Sequence, residues 1–207
     1  MNSTDNNQKS SGLKRTLIEW GLIGVVIAIL YATGLHTEVL GTMQRALLWT
    51  GLFDADTSEI ATTEGSFLSE SDYRFALEKK NGKTVSLSDY RGNVVFINVW
   101  ASWCPPCVAE MPTIETLYDN VAGEKNIQFI LLAMDEDQQK AIDFMEGKEF
   151  SMPYFFPASA LPNHFRSQYL PTTYVLSKEG QIVYKKEGIA DYSSSNFAQW
   201  IRDLAQK

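Results

Sequence analysis

Cysteine and histidine are the scarcest chemistry in this chain of 207 residues: two of each, Cys104 and Cys107, His36 and His164. A structural zinc needs about four ligands, and the two histidines lie far from the cysteine pair, so no metal is expected. Zinc completed by carboxylates is the remaining alternative. Haem attachment needs a histidine directly after the second cysteine, and that position is Val108. No cysteine is spare, which suits an oxidising compartment, where an unpaired thiol risks mispairing. Positive charge is also short. Eighteen Lys and Arg against 25 Asp and Glu leave a net charge of −7, with no basic stripe past the N-terminus. That argues against a nucleic-acid partner, which needs clustered Lys and Arg. Internal repeats and long low-complexity tracts are absent.

Apolar residues are not short. At 44% of the chain they can fill a buried core, and the length suits one domain of about 100–200 residues with some extra. One long apolar run stands out. Residues 1–12 are polar and read as a disordered tail, Lys14 and Arg15 follow, and Trp20 to Thr37 carries no full charge. A membrane-crossing helix needs about 18 or more apolar residues. Residues 16–37 are therefore expected to be a single transmembrane anchor, with Trp20 and Tyr31 at the interfaces. Lys9, Lys14 and Arg15 place residues 1–15 in the cytoplasm and all that follows outside. A cleaved signal peptide, with Ala32 and Gly34 as its small pair, is the alternative. The long leading region, with Asp5 and Glu19, favours an uncleaved anchor. A buried helix of a soluble protein is disfavoured, because the run has no polar face.

Residues 38–66 read as an amphipathic segment and a linker. Leu40, Met43, Leu47 and Leu48 recur at helical spacing, and Arg45 is costly in hydrocarbon, so the segment is expected to lie on the membrane surface. Packing against the globular domain is the alternative. The folded domain is expected over residues 67–207. Its pattern predicts a strand over 73–78, a hairpin turn at Asn81-Gly82 and a partner strand over 84–87. Residues 88–92 read as a short helical turn or loop. Then come a buried strand over 93–100, a helix over 105–122, a buried strand over 127–134 and a helix over 135–145. A short edge strand is expected over 153–156, a short helix over 161–169, a hairpin of 172–176 with 182–186, and a closing helix over 191–206. Strands alternating with helices describe a three-layer α/β domain with a mixed sheet.

The chemistry concentrates in Trp100-Ala101-Ser102-Trp103-Cys104-Pro105-Pro106-Cys107. A Cys-x-x-Cys that opens a helix directly after a buried strand is a redox arrangement. The thiolate is the attacking species, and a helix N-terminus stabilises negative charge, so the Cys104 thiol is expected to ionise below the free value of about 8.5. Cys107, one turn on, can attack a mixed disulfide on Cys104 and release product. Pro105 and Pro106 remove two backbone donors from that turn. A purely structural disulfide is the alternative, but so short a loop gains little chain-entropy stabilisation.

WASWCPPC resembles the signature of thioredoxin-like proteins, and specifically of the TlpA/ResA-like membrane-anchored thiol–disulfide oxidoreductases. The resemblance runs from about Phe67 to the C-terminus: GKTVSLSDYRGNVVFINVWASWCPPC, then Glu110 and Pro112, then LPTTYVL, then EGQIVYKKEG. It implies a thioredoxin fold, a mixed central sheet flanked by helices, with an N-terminal β-hairpin extension and a single transmembrane helix ahead of it. It also implies a redox-active disulfide between Cys104 and Cys107, with no cofactor. Glu110, three residues after Cys107 and on its helix face, is implied to move protons and tune the thiols; a solvated surface glutamate is the alternative. Asn98 stands where thioredoxins proper carry a buried Asp, which shifts the acid–base role to Glu110. Pro112 is implied to kink the helix.

Taken blind, the Leu170–Pro171 bond is trans; the resemblance implies cis, facing the cysteines. Leu170 would then offer its backbone to a substrate strand, with Thr172 next to it. The cytochrome-maturation branch often carries Glu at that position. Trp103, Pro105 and Pro106 are expected to shape the docking surface, and Trp100 to sit in the core. His164 is read as a surface or loop residue, with nothing nearby to complete a dyad. The resemblance implies an extracytoplasmic enzyme that reduces protein disulfides, apocytochrome c among the candidates, with electrons from a membrane thiol donor. The rivals are a disulfide oxidase or isomerase, and a non-catalytic redox-gated adaptor or metallochaperone. A peroxidase would place Pro and Thr ahead of a lone Cys, and Trp100-Ala101-Ser102-Trp103 does not match.

Overall fold

The computed structural model describes residues 19–25, 66–121 and 123–207. The chain divides into two units, Met1–Val39 and Leu40–Lys207. Of the first, residues 19–25 are described, as helix with exposed side chains. No helix among the described residues is long and apolar enough to cross a membrane. The expected cytoplasmic tail, most of the expected anchor at 16–37 and nearly all of the expected amphipathic segment and linker lie outside the described residues.

The second unit is built on a seven-stranded mixed sheet. Its strands are β1 (Ala76–Lys79), β2 (Thr84–Ser86), β3 (Val94–Trp100), β4 (Ile127–Ala133), β5 (Tyr154–Pro157), β6 (Thr172–Leu176) and β7 (Ile182–Glu187), in the order β2-β1-β5-β4-β3-β6-β7. β3, β4 and β5 run parallel, and the other pairings are antiparallel. Every residue of β3 is buried, because this central strand is covered on both faces. Its side chains alternate. Val94, Phe96 and Trp100 join one core cluster, and Val95, Ile97 and Val99 join the other.

The helices are α1 (Glu70–Tyr73), α2 (Pro105–Val121), α3 (Gln138–Gly147) and α4 (Ser195–Gln206). The crossovers β3-α2-β4 and β4-α3-β5 step across the sheet in the same direction. Right-handed connections therefore put both helices on one face. α4 joins them there, and Met111, Met145 and Ile201 share a core with Trp100 and Phe129. The opposite face carries no long helix among the described residues. Its core is closed by Leu68, Tyr73, Phe75, Leu87 and Phe165, which come from α1, short 3-10 turns and connecting chain.

Several expectations shift for identifiable reasons. The strand expected over 73–78 begins at Ala76. Ser69 accepts from Asp72 N–H while Asp72 caps Ser69 in return, and this reciprocal box winds Glu70–Tyr73 into a helical turn. β5 is not an edge: the β1–β2 hairpin pairs onto it, and Phe155 and Phe156 are buried. The hairpin turns at Gly82, whose φ of 77° suits glycine. The helix expected over 161–169 shrinks to one 3-10 turn, Asn163–Phe165, which follows Pro162 and has no side-chain cap. α3 starts at Gln138 rather than 135, capped by Asp137, and α4 starts at Ser195, capped by Ser194.

Candidate active site

Strand β3 ends at Trp100, and the chain crosses the top of the sheet through Ala101, Ser102 and Trp103 before α2 begins. Cys104 occupies the cap position, with Pro105 first in the helix, where its fixed φ suits the turn. Prolines at 105 and 106 have no N–H to donate. The next backbone donor is Cys107 N–H, and it points at Cys104 Sγ, 3.3 Å away. Val108 N–H bonds Cys104 O at 3.0 Å, which starts the helical ladder. The donor field of this helix start therefore falls on one sulfur, the arrangement that stabilises a thiolate.

Cys104 and Cys107 are joined as a disulfide, with Cα atoms 5.3 Å apart. Cys104 is 4% exposed and Cys107 is fully buried, so only the first sulfur touches the surface. Beside it opens a cleft of about 490 Å³ that also includes Trp103, Pro105, Met134, Leu161, Phe165 and Leu170. Among the described residues no charged side chain lines it, and its polar residues are Ser167 and Gln168. Trp103 is 57% exposed, whereas Trp100 is wholly buried, in keeping with their positions in the motif. The Leu170–Pro171 peptide is cis, Leu170 is half-buried at the cleft, and Thr172 is buried behind it with its hydroxyl donating to Tyr169 O at 2.8 Å. Pro105 and Pro106 are half-buried, and Pro112 lies inside α2.

Glu110 is fully buried, not a surface residue. Asn98 Nδ2 donates to its Oε1 at 2.7 Å, and Ala190 N–H donates to its Oε2 at 3.2 Å. The same Asn98 nitrogen donates to Thr173 Oγ1 at 2.9 Å, so the carboxamide bridges α2 and β6. Burial pushes the Glu110 carboxyl up to about 8, against the opposing pull of the Asn98 and Ala190 hydrogen bonds. Tyr192 shares this buried region, and burial, then the Glu110 carboxyl, raise its hydroxyl well above the usual tyrosine range. A group near 8 inside the fold holds a proton at neutral pH and can release it to a stronger base.

His164 differs from its reading in the sequence. Its Nδ1 sits 3.2 Å from Asp72 Oδ2, so a carboxylate does pair with it, across more than 90 residues of chain. The pair lies away from the sulfurs: neither residue lines the cleft, whereas Leu161 and Phe165, near His164 in sequence, do. Asp135, at the start of the helix expected over 135–145, instead turns back to the loop before Cys104 and accepts from Ser102 N–H at 3.0 Å and from the Ser102 hydroxyl at 2.5 Å. Thr173, the Ala190 N–H, Asp135 and the Phe165 wall carry no local sequence signal, because each reaches the site from a distant segment. Among the described residues no group of three or more His, Cys, Asp or Glu is arranged to hold a metal.

The Redoxin family matches residues 65–201. A thiol-disulfide oxidoreductase ResA of Bacillus cereus is 30% identical over 112 residues, 54% of this chain and 64% of that protein. The matched stretch is thus less than two thirds of that relative's length. A ResA thiol-disulfide oxidoreductase of Geobacillus kaustophilus is 28% identical over 149 residues, 72% of this chain and 83% of the relative. A crystal structure of a thiol:disulfide interchange protein, thioredoxin family protein from Chlorobium tepidum TLS superposes with a TM-score of 0.55 at 19% identity, covering 70% of this chain and 99% of that one. That likeness speaks for the fold alone. The TlpA/ResA-like resemblance of the motifs and the mixed thioredoxin-type sheet are both borne out, and with the family matched over well more than half its length, this chain belongs to the Redoxin family.

Proposed function

We propose that this protein is a membrane-tethered, extracytoplasmic thiol–disulfide oxidoreductase that reduces protein disulfides. One observation carries the reading: a single sulfur, Cys104, meets the surface at the start of α2 with a backbone donor on it, while its partner Cys107 and an uncharged Glu110 lie buried beneath. In the reducing direction the Cys104 thiolate attacks a substrate disulfide. One substrate sulfur leaves as a thiolate and the other is held as a mixed disulfide. The Cys107 thiolate then attacks Cys104 Sγ, the second substrate thiol leaves, and the disulfide seen here is formed. Two electrons pass to the substrate. A dithiol donor returns them, and the resemblance places that donor in the membrane.

Glu110 serves as the proton store. It lies one turn beyond Cys107 on the same helix, and its raised pKa lets it exchange a proton near neutral pH. Trp103, Pro105 and Pro106 form the docking rim, and Leu170, Pro171 and Thr172 present the backbone against which a substrate strand lies. Residues 16–37 anchor the domain, with residues 1–15 in the cytoplasm. Apocytochrome c cysteines are one candidate substrate.

The test is the reduction potential of the full-length chain, equilibrated with glutathione and dithiothreitol, with insulin reduction assayed beside it. A value at or below the thioredoxin range, about −270 mV, supports the reductant. A value near that of strong oxidants, about −120 mV, overturns it in favour of an oxidase or isomerase. Cys104→Ser abolishes insulin reduction, and Cys107→Ser accumulates a mixed disulfide that gel electrophoresis without reductant detects.

A further inference from the structure

The loop that delivers Cys104 has no secondary structure of its own, yet it carries the most exposed aromatic of the site. What ties it to the sheet is a residue just past the neighbouring strand. Asp135 follows the end of β4, is 8% exposed, and gives both carboxylate oxygens to one residue. Ser102 N–H donates to Oδ1 at 3.2 Å and to Oδ2 at 3.0 Å, and the Ser102 hydroxyl donates to Oδ1 at 2.5 Å. Hydrogen bonds to an ionised carboxylate are about twice as strong as neutral ones, and this hydroxyl contact has the short length expected of them. Next to the clamp, Met134 N–H bonds Trp100 O at 2.8 Å, so the ends of β3 and β4 are closed together beneath the loop.

Ser102 immediately precedes Trp103, whose side chain and Met134, Leu161, Phe165 and Leu170 enclose the cleft beside Cys104. Asp135 and Ser102 are not part of that lining, so the clamp acts on the loop and not on a ligand. Together with the turn bond from Cys104 N–H to Ala101 O at 3.2 Å, the clamp fixes the backbone from which the 57%-exposed indole projects. We propose that Asp135 and Ser102 are positioning residues that hold Trp103 as one wall of the cleft, and that this wall selects disulfides flanked by apolar side chains. The inference rests on the thiol–disulfide exchange proposed above and names the substrate feature that site selects. The lining sets its sign: among the described residues it is apolar apart from Ser167 and Gln168, so a polar flank would lose its hydration with few groups to pair with.

The test uses the full-length chain, reduced, with three oxidants: dithiobis(nitrobenzoate), and two peptides of equal length and net charge with the same disulfide, flanked by Leu and Phe in one and by Ser and Gln in the other. The wild type is expected to prefer the apolar peptide in kcat/KM by about tenfold or more, mostly through KM. Ser102→Ala and Asp135→Asn are expected to keep the dithiobis(nitrobenzoate) rate within about twofold while the preference falls below about twofold. Trp103→Ala loses the same preference. A wild type that treats the peptides alike overturns the proposal. So do clamp variants that keep the preference, and variants in which all three rates fall together. If Asp135→Asn does not fold, Ser102→Ala decides, since it removes one hydroxyl and leaves the backbone bonds. A wild type inert towards all three oxidants instead sinks the proposed function.

Discussion

The two faces of the sheet solve different problems. On the helical face, α2, α3 and α4 enclose a core that holds a buried carboxyl: Glu110 is held by Asn98 and Ala190, and Asn98 by Thr173. On the other face, short turns and connecting chain do the covering, and there the cleft beside Cys104 opens, walled by Leu161, Phe165 and Leu170. Rigid helices suit the buried carboxyl, because its proton affinity depends on water staying out. A cleft for substrates needs side chains from several directions, which loops supply. Cys104 sits at the junction, with its partner Cys107 in the helical core and its own sulfur facing the cleft.

Three substitutions sharpen or break that contrast, in falling order of effect. The largest is Glu110→Gln. In the folded oxidised protein the carboxyl keeps its proton up to about 8, whereas the unfolded chain loses it near 4.5. Between those values the unfolded state binds fewer protons, so stability falls as pH rises, by about 5 kcal/mol in all. Urea unfolding of the oxidised protein at pH 5 and pH 8 should show this slope in the wild type and lose it in the Gln variant. Parallel slopes would mean that the helical face does not hold a neutral acid.

Next is Phe165→Ala on the loop face. Phe165 is 2% exposed and packs edge-on to Tyr174 with ring centroids 5.3 Å apart. Its removal is expected to cost about 3 kcal/mol in thermal or urea unfolding, as for other buried aromatics. A cost below about 1 kcal/mol would show that short turns pack this face no better than a surface.

The smallest is Gly180→Ala. Gly180 has a φ of 82°, and an added Cβ would run into the Tyr73 hydroxyl, where α1 lies over the β6–β7 turn. A loss of about 1–2 kcal/mol is expected, and Tyr73→Phe in the same chain should return part of it by removing the clashing oxygen. Strict additivity of the two changes would separate α1 from that turn.

How far the sequence can be read follows the same division. On the helical face the buried strands β3 and β4 and the helix α2 stand out from apolar runs and spacing, to within a residue or so at each end. On the loop face sequence and structure part. The strand expected over 73–78 is a capped turn followed by β1, the helix expected over 161–169 is one 3-10 turn, and β5 lies in the interior of the sheet rather than at its edge. Periodicity reports which side of an element is buried, not which neighbour buries it. An apolar Phe155-Phe156 pair therefore cannot say whether a hairpin from about 70 residues earlier will pair beside it.

By itself the sequence determined the cysteine pair: its spacing, its place at a helix start after a buried strand, and the two prolines that leave Cys107 N–H as the next donor. All of these are relations among neighbours in the chain. The tertiary structure alone decided that Glu110 is enclosed, with partners 12 and 80 residues away. It also decided that Asp135 turns back to Ser102, 33 residues earlier. The reason is physical. A carboxyl's proton affinity and a loop's position depend on which distant groups exclude water and donate hydrogen bonds, and those groups meet only when the sheet is assembled.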